Sequence, residues 1–168
     1  SEKAVPQMRD TSKVIDAIDL NEAKSKLLAI IANSRGANKA CEYDKIEYLG
    51  YPLSISNEFQ LRNTGITCVE ALKEVSRIKE IAEKKDKNLV VYLSMAFGNP
   101  YKEHYSSDIV EKFCNDLSLL DIKTISLSDT IGVSSPHLIE KLFSNLTNSY
   151  PNIEFGAHFH TSLSNCDA

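Results

Sequence analysis

No apolar run in this 168-residue chain approaches the roughly 18 residues that a helix needs to cross a bilayer. That absence excludes an α-helical membrane span. Nor is there an excess of positive charge: 19 Lys and Arg stand against 23 Asp and Glu, a formal net charge of −4. A nucleic-acid groove or an anionic-membrane surface needs the opposite balance, so neither partner is expected. Cysteines are few and scattered. Cys41, Cys68, Cys114 and Cys166 form no C-x-x-C pair, a pattern that fits reduced, packed thiols and makes the cytoplasm the expected location. The opening Ser1-Glu2-Lys3-Ala4-Val5-Pro6 has no signal-peptide pattern, and no linker or low-complexity tract interrupts the chain. With 42% hydrophobic and 25% charged residues, residues 1–168 read as one ordinary globular domain.

Five β-branched, apolar runs are present, at residues 27–32, 46–49, 89–93, 124–127 and 153–157. Helical patterns separate the later ones. Thr67-Cys68-Val69-Glu70 is a capping box, after which Val69, Leu72, Val75, Ile78 and Ala82 mark an apolar face. Ser107 is placed to cap a second helix with Ile109, Phe113, Leu117 and Leu120 as its stripe. Ser135-Pro136 is an N-cap followed by a first-turn proline, with Ile139, Leu142, Phe143 and Leu146 behind it. Short helices are expected near residues 12–18 and 35–41. Strand, helix and strand in repetition specify an α/β fold with a parallel sheet. In residues 124–128 small polar residues alternate with aliphatic ones, and Tyr92 and Ser94 alternate with Val91, Leu93 and Met95. One wet face and one aliphatic face suit a (β/α) barrel better than a doubly wound sheet, whose strands are aliphatic on both sides.

Polar residues collect where the strands end, the functional edge of parallel α/β folds. There lie Asn33 and Arg35; Ser54, Ser56, Asn57 and Glu58; Asn99; Ser128 and Asp129; and the pair His158 and His160. Residues 51–66 read as a long polar loop, a length that usually carries function. Side chains two apart on a strand point the same way, so His158 and His160 project together as a partial divalent-metal site. The alternative is a pair of histidines bonded to strand-end carbonyls. Asp129 suits either an acid–base role or a brace for the loop before Ser135. Glu58 has Arg62 as an i,i+4 partner, Gly98-Asn99-Pro100 is a turn sequence, and His104 and His137 read as surface residues.

Several segments in order resemble one family: Ala4-Val5-Pro6-Gln7-Met8-x-Asp10, Asn33, Glu58-Phe59 with Asn63, Phe97-Gly98-Asn99-Pro100-Tyr101, Ser126-Leu127-Ser128-Asp129-Thr130-Ile131-Gly132, and His158-x-His160. They resemble the hydroxymethylglutaryl-CoA lyases, within the metal-dependent lyase and Claisen-condensing TIM-barrel superfamily. The resemblance implies a TIM (β/α)8 barrel and His158 and His160 as ligands of Mg²⁺ or Mn²⁺. It implies His158 and Asp129 as catalytic groups, and Asn63, Glu58 and Asn99 near an acyl-CoA substrate. The implied reaction is retro-Claisen cleavage of 3-hydroxy-3-methylglutaryl-CoA to acetyl-CoA and acetoacetate, the cation lowering the pKa of the substrate hydroxyl. A related acyltransferase condensing acetyl-CoA with a 2-oxo acid, or a non-catalytic metal- or CoA-binding barrel, are the alternatives. A homodimer is among the assemblies the sequence allows.

The chain also departs from the family pattern. No strand carries the family's opening Arg-Asp pair, since Arg9-Asp10 belongs to the proline–glutamine–methionine segment. Cys166 lies too close to His160 to be the family's loop cysteine, Thr161-Ser162 replaces a common Asp-Thr, and Met95 and Asn99 stand where relatives often have cysteine. A complete barrel takes about 250 residues. Five parallel strands of eight, the third to the seventh, are therefore expected here, as the central part of a barrel with exposed apolar edges.

Overall fold

Strand parity and strand order together decide the architecture. A computed structural model, which describes residues 6–161, contains β1 (Leu27–Ile30), β2 (Ile46–Ser54), β3 (Asn88–Ser94), β4 (Thr124–Asp129) and β5 (Glu154–Phe159). They form one parallel sheet in the order β1-β2-β3-β4-β5. A doubly wound sheet reverses its strand order at a switch point, whereas a barrel winds in one direction. The order here never reverses. Leu28 and Ile30 of β1 nevertheless border the same cavity as His158 of β5, so the sheet curls into an arc. Among the described residues β1 pairs with β2 alone and β5 with β4 alone, and Ile30 is 64% exposed. This is the expected open, five-stranded partial barrel. Cys166 and Ser162 lie outside the described residues.

Odd-numbered strand residues face the helices. Leu49, Tyr51, Leu53, Val91, Leu93, Ile125 and Leu127 are fully buried there against α4 (Cys68–Lys84), α5 (Ser107–Leu119) and α6 (Pro136–Ser149). Even-numbered residues such as Leu28, Ile30, Pro52, Tyr92, Ser94, Ser128 and His158 face the inside of the arc.

Several expected elements shift once packed. Residues 51–66 are not a loop: β2 continues to Ser54, and α3 (Asn57–Thr64) follows after two residues. Ser56 caps α3 by accepting from Phe59 N, and the buried Gln60 reaches back so that its Oε1 accepts from Ser54 N at 2.8 Å. The polar residues that suggested a loop are a helix cap and its tie to the strand. The capping box at Thr67 and Glu70 forms as expected. The buried stripe of α4, however, is Cys68, Ala71, Val75, Ile78 and Ala82, and Val69 is 66% exposed. The difference is set at the helix start, where Cys68 N donates to Asn57 Oδ1 and Cys68 Sγ to the Ser54 carbonyl. On α5 the flanking residue is Ser106 rather than Ser107, and its side chain makes no capping bond.

The N-terminal helix α1 (Thr11–Ala17) is held by one cation. Lys45 Nζ donates to the carbonyls of Ile15, Asp16 and Ile18 at 2.7–3.0 Å, satisfying groups that a helix end leaves open. Tyr43 and Ser12 add a hydroxyl–hydroxyl bond of 2.6 Å. These contacts seat α1 beside the loop between α2 (Ser34–Ala40) and β2.

Among the described residues, the Tyr51 hydroxyl is a buried polar atom without a hydrogen-bond partner. Burial, with Glu74 nearby, pushes its pKa up to about 12. An unsatisfied buried hydroxyl costs about 1–3 kcal/mol. Tyr51→Phe should therefore raise the unfolding free energy by about 1 kcal/mol in a urea titration; a drop of that size would show that the hydroxyl is bonded in solution.

Candidate functional site

The ladder between β4 and β5 sets the site. Ser126 pairs with Gly156, Ser128 with His158, and Asp129 with Phe159. One residue beyond the strand, His160 N donates to the Asp129 carbonyl at 3.3 Å, which extends the ladder far enough to keep His160 on the face of His158. The two rings lie 5.2 Å apart, and their Nε2 atoms are 3.2 Å apart. Tyr92 meets His158 edge-on at 5.8 Å.

Hydrogen bonding decides which nitrogen of His160 carries its proton. Nδ1 lies 2.7 Å from the Thr130 carbonyl, which can only accept. Nδ1 therefore holds the proton, and Nε2 presents its lone pair toward His158. Two nitrogens about 2.1 Å from one cation stand about 3.0 Å apart in octahedral and 3.4 Å in tetrahedral coordination. The observed 3.2 Å falls between them, so the pair fits two adjacent positions on a single divalent cation. For both Nε2 atoms to bind, His158 carries its proton on Nδ1. Among the described residues no cluster of three or more His, Cys, Asp and Glu is arranged for a metal, and the two imidazoles are the pair that fits one.

The histidines border a cavity of about 390 Å³ between the inner face and the ends of the strands. Its polar side is Ser94, Ser128, Thr130, His158 and His160; Leu28, Ile30, Pro52 and Tyr92 form the other.

Asp129 has the opposite parity and does not border this cavity among the described residues. Its carboxylate is 1% exposed and accepts from Val133 N and Ser134 N, each at 2.9 Å. Burial alone would raise its pKa, but donors from Ser134, Val133 and Gly132 outweigh it and hold the carboxyl below its usual range. The loop so fixed is the one whose Thr130 carbonyl orients His160. Thr130 Oγ1 also accepts from Met95 N, and Ala96 N donates to the Ser128 carbonyl. This ties down the turn after β3, where Met95 takes a left-handed φ of 61°. Asp129 thus supports His160 through the backbone.

The cavity lining among the described residues includes none of the expected substrate residues Glu58, Asn63 and Asn99. Glu58 pairs with Arg62 on α3, Arg62 stacks over Tyr101 at 5.0 Å, and Asn63 is exposed on the same helix. Asn99 organises its own turn: Oδ1 accepts from Tyr101 N and Glu103 N, and Nδ2 donates to the Glu103 carbonyl. Glu103, which carried no signal in the sequence, bonds Ser56 Oγ and Glu58 N and so clamps the loop after β3 onto α3. His104 and His137 are exposed, as their positions suggested.

Against this geometry, the family profile and the relatives below point to one family. A profile described as HMGL-like matches residues 2–167. The hydroxymethylglutaryl-CoA lyase YngG of Bacillus subtilis is 29% identical over 167 residues, covering 97% of this chain and 55% of the relative. A crystal structure of the Bacillus subtilis HMG-CoA lyase superposes with a TM-score of 0.86 at 28% identity, covering 95% of this chain and 53% of that one. An HMG-CoA lyase from Acinetobacter baumannii, solved with coenzyme A and 3-methylmalate, gives 0.83 at 26% identity, covering 95% and 52%. The chain spans about half the length of the curated relatives it matches.

The Asp129 brace has a pH signature. A carboxylate with a depressed folded pKa stabilises the fold fully above its unfolded value and loses that contribution as pH falls through the folded value. Asp129→Asn should cost about 1–3 kcal/mol near pH 7. The difference from the wild type should shrink on acidification below the ordinary aspartate range, and denaturant titrations at pH 7 and pH 3.5 measure both. Equal losses at the two pH values would remove the charge from the account.

Proposed function

This chain belongs to the HMGL-like family, and on that ground we propose that the whole protein is a divalent-metal-dependent carbon–carbon lyase. Its proposed substrate is 3-hydroxy-3-methylglutaryl-CoA and its products are acetyl-CoA and acetoacetate. One observation carries this reading: two imidazole nitrogens 3.2 Å apart, one with its tautomer fixed, at the strand ends of a barrel arc. When bound there, Mg²⁺ or Mn²⁺ supplies Lewis acidity toward the substrate's hydroxyl and carbonyl oxygens.

The chain's own residues have separable tasks. His160 binds through Nε2 while Thr130 keeps its other nitrogen protonated. His158 would bind through Nε2 as well, which leaves its Nδ1–H able only to donate a hydrogen bond, so the substrate hydroxyl proton passes to a base other than this ring. Asp129 is a positioning residue for His160, because its carboxylate is already engaged by loop donors. Ser94 and Ser128 supply hydroxyls to the polar wall. In the reaction the substrate hydroxyl loses its proton and becomes the ketone carbonyl of acetoacetate. The electron pair of the broken carbon–carbon bond passes to the carbon next to the thioester, which gains a proton to give acetyl-CoA. Asn63 is exposed on α3, which leaves its side-chain amide open to a polar contact with the substrate. Glu58 and Asn99 contribute by holding α3 and the loop after β3 in place. Buried Cys41, Cys68 and Cys114 are free thiols, consistent with the cytoplasmic location we propose.

The test is acetoacetate release from 3-hydroxy-3-methylglutaryl-CoA by the whole protein with Mg²⁺ or Mn²⁺. His160→Ala should lower kcat/KM by at least about 100-fold. Unchanged turnover would remove the proposed ligand. Free thiol released from acetyl-CoA only when a 2-oxo acid is present would favour the condensing reaction instead.

A further inference from the structure

The cavity has two chemically different sides, and the proposed function uses one of them. The other is built by an unusual packing arrangement over Gly50. Gly50 is buried on β2 as the register partner of Ile30, and its φ is ordinary. A Cβ there would lie 2.7 Å from Ile30 Cδ1, 2.9 Å from Leu28 Cδ2 and 2.9 Å from Tyr92 Cε2. All three side chains therefore rest directly on the glycine backbone. Two residues on, Pro52 continues the apolar surface along the inner face. Ile30 lies on the edge strand of the described arc and borders the cavity.

Building on the lyase reading above, we propose that Leu28, Ile30 and Pro52 form the subsite for the alkyl substituent on the hydroxyl-bearing carbon, with Gly50 setting its depth. Four groups surround that carbon in a 3-hydroxy-3-alkylglutaryl thioester: the hydroxyl, a carboxylate arm, a thioester arm and the alkyl group. The first three need hydrogen-bonding or cationic partners, and desolvating them against aliphatic side chains is costly. The alkyl group alone gains from the apolar wall. With the oxygens at the histidine side, the hydrophobic arm faces across the cavity to β1 and β2. Any side chain at position 50 would lift Ile30 and Tyr92 into this space and make it shallower.

The experiment compares kcat/KM of the whole protein, with Mn²⁺, on 3-hydroxy-3-methylglutaryl-CoA and on its 3-butyl homologue. Ile30→Ala should raise the butyl-to-methyl ratio about tenfold, the scale on which apolar pockets discriminate added methylenes. Gly50→Ala should lower the ratio; if that variant does not fold, Ile30→Phe provides the narrowing arm. Circular dichroism and thermal unfolding of each variant check that it folds before the ratio is read. Turnover of both substrates with a ratio that stays within twofold in the Ile30 variants overturns the subsite and leaves the lyase reading intact. A wild-type protein that turns over neither substrate overturns both.

Discussion

The parallel ladder between β4 and β5 carries the site. It fixes which residues of β5 face the inside of the arc, because side chains on a strand alternate with a period of two. Ser128 opposite His158 and Asp129 opposite Phe159 place the imidazoles on the cavity side and the carboxylate on the loop side. A slip by one residue would exchange them. The extra bond from His160 N to the Asp129 carbonyl matters for the same reason, since it carries the alternation one residue past the end of the strand.

The loops above the strand ends are bound to one another by polar side chains, two of which, Asn99 and Asp129, sequence inspection assigns to the substrate site. Asn99 closes its own turn, Glu103 caps α3 from the neighbouring loop, and Asp129 gathers the amides that precede α6. Each bond satisfies a backbone donor that would otherwise stand open at a strand or helix end. The consequence for chemistry is indirect. Once the loop after β4 is fixed, the Thr130 carbonyl is fixed, and His160 has one tautomer. A ligand nitrogen with a settled lone pair binds a cation without first reorganising.

The inner face of the arc joins this polar edge to an aliphatic one. Hydroxyl-bearing and imidazole side chains project from β3, β4 and β5, whereas Leu28, Ile30 and Pro52 project from β1 and β2. Such a division suits a substrate whose reacting carbon carries three oxygen-bearing arms and one hydrocarbon arm.

Local pattern was enough to read the five strands, the capping box at Thr67, the proline-led helix α6 and the shared face of His158 and His160. Each rests on periodicity or on contacts within four residues, which the sequence states directly. Its reading failed where the determining contact is distant. Residues 51–66 looked like a loop because the cap of α3 and the return of Gln60 to Ser54 are polar; only packing shows that these groups face protein. The burial of Cys68 and Ala71 in place of Val69 at the start of α4 is set by Cys68 meeting Ser54 and Asn57, while Val75, Ile78 and Ala82 stay on the expected face. Glu103 had no sequence signal because its partners lie 45 and 47 residues away. By itself, then, the sequence determined a one-way parallel arc with two imidazoles at its edge, since both follow from alternation along the chain. Tertiary structure alone decided that Asp129 braces a loop and that Leu28, Ile30 and Tyr92 rest against Gly50, because each depends on atoms brought together by folding.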